Sequence, residues 1–267
     1  MTGAAGRWSK ELAAWAIPEQ ILAQAPEPPW PLPPALFRVN ASSHRVIETP
    51  STRLARAGLP EGGSILDVGC GGGAASLPLA PWAATITGVD QDDHMLANFA
   101  SGCRELGVGH VEIRGDWPRV ADAVAGADLV LSHHVVYNVA DIVPFLEALT
   151  RHARRLVVVE LTETHPTSPF NPLWERFWGL SRPTEPTAGL FIQVLKEMGL
   201  APRQKSHLRT HRTTSIERSE YVAFARRRLC LGPERDEEVD DALGDTWPLE
   251  VSRTVSVAWA PRASEGG

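Results

Sequence analysis

Cysteine is scarce in this chain of 267 residues, and long apolar runs are missing. The three cysteines, Cys70, Cys103 and Cys230, are scattered without C-x-x-C spacing, which argues against a disulfide framework and a zinc site. No apolar run reaches the length of a membrane span, and no basic segment leads into an apolar core near the N-terminus. The sequence therefore predicts a cytoplasmic protein with no membrane span, no secretory signal and no metal site.

The chain also has fewer basic than acidic residues. The formal net charge is −6, which disfavours a polyanionic partner because nucleic-acid-binding proteins usually carry a basic excess. The hydrophobic content of 43% and the charged content of 22% are ordinary for a globular protein. The length accommodates one large α/β domain with an appendage.

The most informative segment spans residues 64–76. The apolar residues in 65–68 predict a short buried parallel strand. Three glycines, Gly71 to Gly73, follow, and the small residues of 74–80 predict the start of a helix. A strand, a glycine turn and a helix in this order form the ligand-binding element of open α/β sheets. Glycine permits a tight turn and lets a ligand approach the backbone amides.

Two ligand classes compete for this turn. The run from Gly69 to Ala74 satisfies the G-x-G-x-x-G/A pattern of nicotinamide dinucleotide sites, so the glycines alone leave the ligand open. Asp67 discriminates, because it lies two residues before the first glycine, where the dinucleotide pattern usually has an apolar residue. A carboxylate there would repel a pyrophosphate and would suit the ammonium group of a ligand that carries an amino acid.

A second acid follows one strand later. Residues 85–90 predict the next strand, which ends in Asp90, seventeen residues after Gly73. Two carboxylate oxygens match the two hydroxyl donors of a ribose. Asp92 is suited to cap the following helix, which we expect to end at Gly107.

Together these residues carry a resemblance to a family. Residues 66–73 resemble motif I, D/E-x-G-x-G-x-G, of the class I S-adenosylmethionine-dependent methyltransferases, and Gly88 to Leu96 are similar to the segment that follows it in that family. The resemblance covers about residues 60 to 165 and implies S-adenosylmethionine as the cofactor, with S-adenosylhomocysteine as the product. The implied cofactor-binding residues are Asp67, Gly69, Cys70, Gly71, Asp90, Gln91, Met95, Asp116, Trp117, Ser132 and His133.

Further residues follow the later strands. Residues 111–117 predict a strand that ends at Asp116, which the resemblance places at the adenine amino group, while Trp117 either stacks on the adenine or fills the core. Residues 127–132 predict the fourth strand, and its carboxyl end, where open α/β sheets place their chemistry, carries a dense polar cluster. The members of this cluster are His133, His134, Tyr137 and Asn138.

That cluster is similar to the "LHHV" stretch of small-molecule methyltransferases of the ubiquinone/menaquinone type. The N-P-P-Y motif of amide N-methyltransferases is absent from the sequence. His133 and His134 are candidate bases, or residues that pack the cofactor, and Tyr137 and Asn138 are candidate substrate contacts. The fifth strand, residues 155–161, contains Glu160, which we expect to be buried and paired, and its exit offers His165 as a third candidate base.

An aromatic segment and an N-terminal extension complete the predicted acceptor side. Residues 166–186 place aromatic side chains on one helical face, which indicates either core packing or an apolar substrate wall that includes Trp174 and Trp178. Residues 1–60 precede the sheet as a helical and proline-rich lid or strap. In this region we predict a helix capped by Ser9, a proline run anchored by Trp30 that could instead bind a partner domain, and a helix over residues 44–57.

The C-terminal part predicts two strands. Residues 203–211 place a basic residue at every second position, which indicates either an RNA-binding strand or a solvated edge strand that faces the acidic run at 234–241. Residues 254–259 predict the last strand, and residues 263–267 a frayed tail.

We therefore predict an α/β protein with a seven-stranded, mostly parallel, Rossmann-like sheet, in which the last strand is antiparallel and lies beside the fifth. The methyltransferase domain is expected to span residues 61–262. The predicted function is methyl transfer from S-adenosylmethionine to a small molecule by in-line displacement. The alternatives are an RNA methyltransferase that uses residues 203–211 and a protein that binds the cofactor without turnover.

Overall fold

A single twisted sheet organises the chain. The computed structural model describes residues 3–31, 48–210, 216–244 and 251–261. Seven strands have the spatial order β3-β2-β1-β4-β5-β7-β6. They are β1 Gly63–Val68, β2 Ala83–Asp90, β3 Gly109–Arg114, β4 Ala127–His133, β5 Ala153–Thr162, β6 Arg203–Thr210 and β7 Val251–Trp259.

The strand directions confirm the predicted topology. Strands β1 to β5 are parallel, and β7 runs antiparallel between β5 and β6. The order reverses between β1 and β4, and this switch point opens a crevice at the carboxyl ends of the strands. The glycine turn follows β1, so the topology places it at that crevice.

Nine helices are seen in the described ranges. They are α1 Ala4–Ala13, α2 Glu19–Leu22, α3 Pro50–Gly58, α4 Asp93–Leu106, α5 Ile142–His152, α6 Asn171–Trp178, α7 Ala188–Glu197, α8 Arg218–Arg228 and α9 Asp236–Leu243. None of these described helices is long and apolar enough to cross a bilayer.

The central strands β1, β4 and β5 are buried on both faces and are mostly apolar, whereas the edge strands β3 and β6 are largely exposed. Ile65 and Leu129 point toward α3 and α4, whereas the adjacent Leu66 and Val130 point toward α1, α5 and α7. This alternation follows from the opposite directions of successive side chains along a strand.

A third apolar cluster lies apart from the sheet faces. It joins α2, α6, α8 and α9, and we call this group of helices the helical cap. Its buried members include Ile21, Phe170, Trp174, Phe224 and Val239. Three separate chain segments thus supply one core. Two of its helices, α8 and α9 between β6 and β7, were not predicted from the sequence.

The acidic run at 234–241 belongs to this cap. Asp236 pairs with Arg226 (2.8 Å) and Asp240 pairs with Arg218 (2.6 Å), both from α8. The expectation that this run faces the basic strand β6 is therefore wrong, because the run pairs with the helix that precedes it in the chain.

Several local predictions also need correction. The segment after the glycines forms a 3-10 helix, Leu77–Trp82, where we expected an α-helix; its prolines lack the amide donors that an α-helix needs. Helix α1 begins after Gly3, so Ser9 lies inside the helix and does not cap it. Trp30 is 55% exposed, so it does not anchor the proline-rich segment.

The helix before the sheet is shorter than predicted. It begins at Pro50, and the Thr49 hydroxyl accepts a hydrogen bond from the Thr52 amide as its cap. Residues 44–47 of the predicted helix lie outside the described residues, as do His211 and the predicted tail at 263–267. Strand β3 ends at Arg114, so Asp116 and Trp117 lie just beyond it.

Candidate functional site

The glycine turn after β1 leaves room for a ligand. Gly71 has a φ of +51°, which disfavours other residues, and a Cβ atom built there would meet no heavy atom within 4 Å. At Gly69 a side chain would clash, because a Cβ atom built there would lie 2.4 Å from Cγ2 of Val135. The loop therefore packs closely against the segment after β4 at Gly69, and it is open at Gly71.

Asp90 fixes the shape of this loop. Its Oδ2 atom accepts a hydrogen bond from the Gly71 amide (2.8 Å), and its Oδ1 atom accepts one from the Asp92 amide (3.0 Å). Asp92 in turn caps α4 through the His94 and Met95 amides. Each carboxylate oxygen retains a further lone pair, so Asp90 can also accept from a diol.

Asp67 is the buried acid of the site. It is 1% exposed, and its Oδ2 atom accepts a hydrogen bond from the Ser76 hydroxyl (2.6 Å). Burial raises the pKa of Asp67 to about 7; the Ser76 hydrogen bond lowers it and the charge of Asp90 adds to the rise. The Oδ1 atom is buried and has no partner in the described part of the chain. A cationic or amide donor of a ligand would satisfy this oxygen, so the residues present fit an amino-acid-bearing nucleoside.

Asp116 lies beside the end of β2. The side-chain amide of Gln91 donates to Oδ1 of Asp116 (2.9 Å), which links the ends of β2 and β3. Trp117 is buried, its indole N–H donates to the Phe145 carbonyl (3.4 Å), and its ring meets His152 edge-on. The structure thus gives Trp117 a packing role, as the core alternative predicts.

The remaining predicted cofactor residues surround the loop. Burial raises the pKa of the Cys70 thiol far above its usual range, and its Sγ atom contacts the Gly71 carbonyl (3.5 Å). Ser132 is buried, and its hydroxyl has no partner among the described residues. Met95 is half-buried in the first turn of α4. Their contacts with a cofactor stay predictions.

On the acceptor side, His134 and Glu160 form a pair. His134 has a φ of 60°, an uncommon conformation for this residue type, and its amide donates to the Glu160 carbonyl (2.7 Å). Its Nε2 atom lies 3.1 Å from Oε1 of Glu160. Nη1 of Arg209 lies 2.6 Å from the same Nε2 atom and 2.9 Å from Oε1 of Glu160. One ring nitrogen therefore faces both a donor and an acceptor.

Glu160 is buried and paired, as the sequence predicts. The Ser51 hydroxyl of α3 also bonds to Oε2 of Glu160 (2.6 Å) and lies 2.5 Å from the Ser256 hydroxyl. Burial alone would raise the pKa of Glu160, but the hydrogen bonds from His134 and Ser51 and the nearby His133 hold it well below its usual range. Glu160 is consequently ionised at neutral pH.

His133 lies beside this pair. Burial lowers the pKa of His133 to about 4, although the charge of Glu160 works in the opposite direction. Its Nε2 atom is buried without a partner in the ranges that the structure describes. His133 is thus a neutral ring whose Nε2 atom can form one hydrogen bond with a ligand.

His165, the third candidate base, has a different environment. Its ring stacks on Trp15 (4.0 Å between centroids, 16° between planes) and meets the edge of Tyr137. Burial and the charges of Arg182 and Arg228 lower the pKa of His165 to about 4.

The residues predicted to contact the substrate differ in burial and in whether their polar groups are already hydrogen-bonded. The Tyr137 hydroxyl donates to the Thr162 carbonyl (2.9 Å), whereas Asn138 is exposed. Trp174 is buried in the helical cap, and the Trp178 indole N–H donates to the Leu229 carbonyl (2.7 Å). The tryptophans therefore pack the cap, and their contact with a substrate stays a prediction.

Three residues at this edge, Ser51, Trp15 and Arg182, were not predicted from the sequence. Ser51 is distant in sequence from the other residues of the site, and serine is common at the starts of helices, so its residue type indicates no role in a site. Trp15 lies just beyond the end of α1, and nothing in its local sequence indicates that it stacks on His165. Arg182 lies in the loop after α6, and its guanidinium donates to the carbonyls of Trp15 and Ala16. Only the folded chain brings these residues to the carboxyl ends of the strands.

The described residues hold no group of His, Cys, Asp or Glu side chains suited to a metal ion. The basic stripe of β6 is divided, because Arg209 turns to Glu160 while Arg203 and Lys205 are exposed. The RNA-binding alternative gains no support from this arrangement.

Comparisons with known proteins agree with this geometry. Residues 66–157 match the family model described as a methyltransferase domain. The ubiquinone biosynthesis O-methyltransferase of Rhizobium leguminosarum is 36% identical over 95 residues, which is 35% of this chain and 37% of that protein. The chain therefore matches only about a third of the length of this relative.

Two solved structures share the fold. The S-adenosylmethionine-dependent methyltransferase of Geobacter sulfurreducens, in complex with S-adenosyl-L-homocysteine, gives a TM-score of 0.50 at 20% identity and covers 86% of this chain and 99% of that one. The magnesium protoporphyrin IX methyltransferase of Synechocystis, with the same molecule bound, gives a TM-score of 0.50 at 15% identity and covers 80% and 82%. The family match identifies residues 66–157 as a methyltransferase domain, and the two structures show that the chain shares their fold.

Proposed function

We propose that this protein transfers the methyl group of S-adenosylmethionine to a small-molecule acceptor. The observation that carries the proposal is the loop after β1. Asp90 holds this loop at Gly71, and beside it lies the Oδ1 atom of Asp67, which has no hydrogen-bond partner among the described residues. This loop lies within the residues that match the methyltransferase domain.

Three acids would hold the cofactor. Asp67 would receive the ammonium group, Asp90 the ribose hydroxyls and Asp116 the adenine amino group. The bound sulfonium supplies an electrophilic methyl carbon, so the chain must hold the acceptor in line and in contact with it, and a base is needed only for an acceptor that carries a proton on the attacking atom.

His134 would remove a proton from a hydroxyl acceptor, and Glu160 would orient the His134 ring. For Nδ1 to be the basic nitrogen, Nε2 must carry the ring proton and donate to Glu160, with Arg209 donating to Glu160 and not to the ring. Arg209 would hold the charge of Glu160 in place. A hydroxyl acceptor is favoured because the matched relatives are named O-methyltransferases.

Calorimetric titration and a turnover assay test the proposal. We expect S-adenosylhomocysteine to bind and NADH to give no heat, and we expect release of S-adenosylhomocysteine when S-adenosylmethionine is supplied with a panel of small hydroxylated acceptors. Binding of NADH in place of the sulfonium nucleoside would overturn the function. Binding without turnover on any acceptor would instead favour the protein that binds the cofactor without catalysis.

A variant pair tests the base. His134→Ala should lower kcat at least a hundredfold and leave S-adenosylhomocysteine affinity unchanged, since general-base catalysis contributes about 10²–10⁴-fold. The control is His110→Ala, because His110 lies on the edge strand β3 and pairs with Glu112 (3.8 Å). An unchanged kcat in His134→Ala would remove this residue from the mechanism.

A further inference from the structure

Two buried serine hydroxyls lie between α3 and the sheet, beside Glu160. Ser51 of α3 and Ser256 of β7 are fully buried, and their Oγ atoms lie 2.5 Å apart. Ser256 is directly opposite Glu160 in the pairing of β7 with β5. Further along the same two elements, Ala55 and Ala258 are apolar and buried in the cluster between α3 and the sheet. Because a buried hydroxyl costs free energy unless it is hydrogen-bonded, the two serines indicate a polar task at this one place.

The two hydroxyls form a chain of hydrogen bonds that ends at the carboxylate. The Ser51 hydroxyl donates to Oε2 of Glu160 (2.6 Å), so its single proton is used there. The contact between the serines is then a bond that the Ser256 hydroxyl donates to the Ser51 oxygen. Both protons are directed toward Glu160, and each bond of such a chain strengthens the next. The chain therefore fixes Oε2 and, with it, the orientation of the carboxylate.

The orientation of this carboxylate decides what its other oxygen contacts. Oε1 of Glu160 lies 2.9 Å from Nη1 of Arg209 and 3.1 Å from Nε2 of His134. An arginine and a carboxylate often pair through two parallel hydrogen bonds. In the described part of the chain Arg209 reaches Glu160 through Nη1 and Oε1 alone, while Oε2 is held by Ser51. The position of Ser51 thus keeps Oε1 within reach of the His134 ring.

Two proton arrangements of His134 compete at this point. Nη1 of Arg209 lies 2.6 Å from Nε2 of His134, so the arginine can donate to the ring when Nε2 carries no proton. The ring proton is then on Nδ1, which cannot act as a base. When Nε2 carries the proton, it donates to Oε1 of Glu160, and Nδ1 is free to accept a proton. A Glu160 carboxylate that turned away from the ring would favour the first arrangement.

We propose that Ser51 and Ser256 are positioning residues for His134. By fixing the Glu160 carboxylate they keep the ring proton on Nε2 and so leave Nδ1 as the base. Both serines act through Glu160 and not on the reacting atoms. The proposal rests on the proposed function, in which His134 removes the proton of a hydroxyl acceptor, and adds the residues that set the protonation of its ring.

The tautomer of His134 gives the direct test and needs no acceptor. It is read from the nitrogen NMR shifts of the ring in the full chain with isotopically labelled histidine, at a pH at which the ring is neutral, and His134→Ala identifies the signals. We expect the parent ring to carry its proton on Nε2 and the ring of Ser51→Ala to carry it mainly on Nδ1. Ser256→Ala should shift the ratio in the same direction by less, because Ser51 keeps its own bond to Glu160. A parent ring protonated on Nδ1, or an unchanged tautomer in Ser51→Ala, would overturn the proposal.

Ser64→Ala is the matched control. The Ser64 hydroxyl also donates to a carboxylate, that of Asp128 (2.8 Å), but Ser64 lies at the amino end of β1, away from the site. This variant should keep the His134 tautomer and the kcat of the parent.

Kinetics separate a positioning role from a structural one. With the acceptor that the parent methylates fastest, Ser51→Ala should lower kcat about tenfold and leave KM for S-adenosylmethionine unchanged, an effect of the size seen when an outer hydrogen-bond partner of a functional side chain is lost. The same substitution in His134→Ala should cause no further loss, since a residue that acts through His134 has nothing left to position there. A further loss of about tenfold in the double variant would overturn the positioning role.

Titration with S-adenosylhomocysteine accompanies every variant. Retained binding shows that Ser51→Ala is folded; if binding is lost, Ser256→Ala carries the test, and an unchanged tautomer in that variant overturns the proposal. An active parent with an unchanged tautomer in the serine variant refutes only the positioning role. A parent that neither binds S-adenosylhomocysteine nor transfers a methyl group refutes the methyltransferase function itself.

Discussion

Replacing Asp90 by alanine tests the central part of the site. Its carboxylate accepts two backbone amides, at 2.8 Å and 3.0 Å, and would bind the ribose hydroxyls as well. Hydrogen bonds to a charged group contribute about 1.5–3 kcal/mol each. Loss of the ribose contacts and loosening of the Gly71 turn should together cost about 2–4 kcal/mol of binding free energy. Since about 1.4 kcal/mol is a factor of ten, affinity for S-adenosylhomocysteine should fall roughly thirtyfold to a thousandfold.

The assay is calorimetric titration of S-adenosylhomocysteine into parent and variant proteins at one salt concentration. Asp90→Asn retains one acceptor oxygen, so its affinity should fall between the two. Asp93→Ala is the control, because Asp93 pairs with Arg114 (3.2 Å) at the surface, where both side chains are about two-thirds exposed. If Asp90→Ala and Asp93→Ala bind S-adenosylhomocysteine equally well, the assignment of Asp90 to the ribose is refuted.

Three further predictions concern stability. Because burial raises the pKa of Asp67 to about 7, the contribution of Asp67 to the unfolding free energy should fall as the pH rises from about 4 to about 7, by on the order of 4 kcal/mol. The difference in unfolding free energy between Asp67→Asn and the parent protein should therefore change by that amount in urea titrations across this range, and a constant difference would contradict the raised pKa. Glu160→Ala should lower the unfolding free energy by about 3 kcal/mol, because Ser51 and Arg209 lose their buried partner. Glu163→Ala should lower it by less than about 1 kcal/mol, because the pair between Glu163 and Arg253 is exposed. Equal losses in the two variants would contradict this difference. Trp8→Ala should cost about 3–5 kcal/mol in the same urea assay, since this residue is fully buried and its indole donates to the Val139 carbonyl; a loss below about 1 kcal/mol would show that α1 does not stabilise the domain.

Local patterns correctly predicted the first strand, the glycine turn and the positions of the two acids, because these features are close in sequence. A buried strand, a glycine turn and two acids lie within residues 64–92, so periodicity and residue type were enough to place them at one sheet edge. The segment after the turn forms a 3-10 helix because its two prolines, Pro78 and Pro81, lack the amide donors that a regular α-helix needs.

The acceptor side was predicted only as candidates, because its contacts join distant segments. No local signal pairs Ser51 with Glu160 across 109 positions, or Arg209 with His134 across 75. His133, His134 and His165 were equivalent candidate bases in the sequence. In the fold His134 lies beside Glu160, His133 is a buried neutral ring, and His165 stacks on Trp15.

The sequence by itself determined the sheet, the position of its ligand-binding turn and the acids that border it, because strand periodicity and glycine conformation act over a few residues. Only the tertiary structure decided which charges are paired, because that depends on three segments meeting in the helical cap. Arg226 pairs with Glu27 (3.0 Å) and Asp236 (2.8 Å) because the chain after α2 and the start of α9 both reach α8 in the fold.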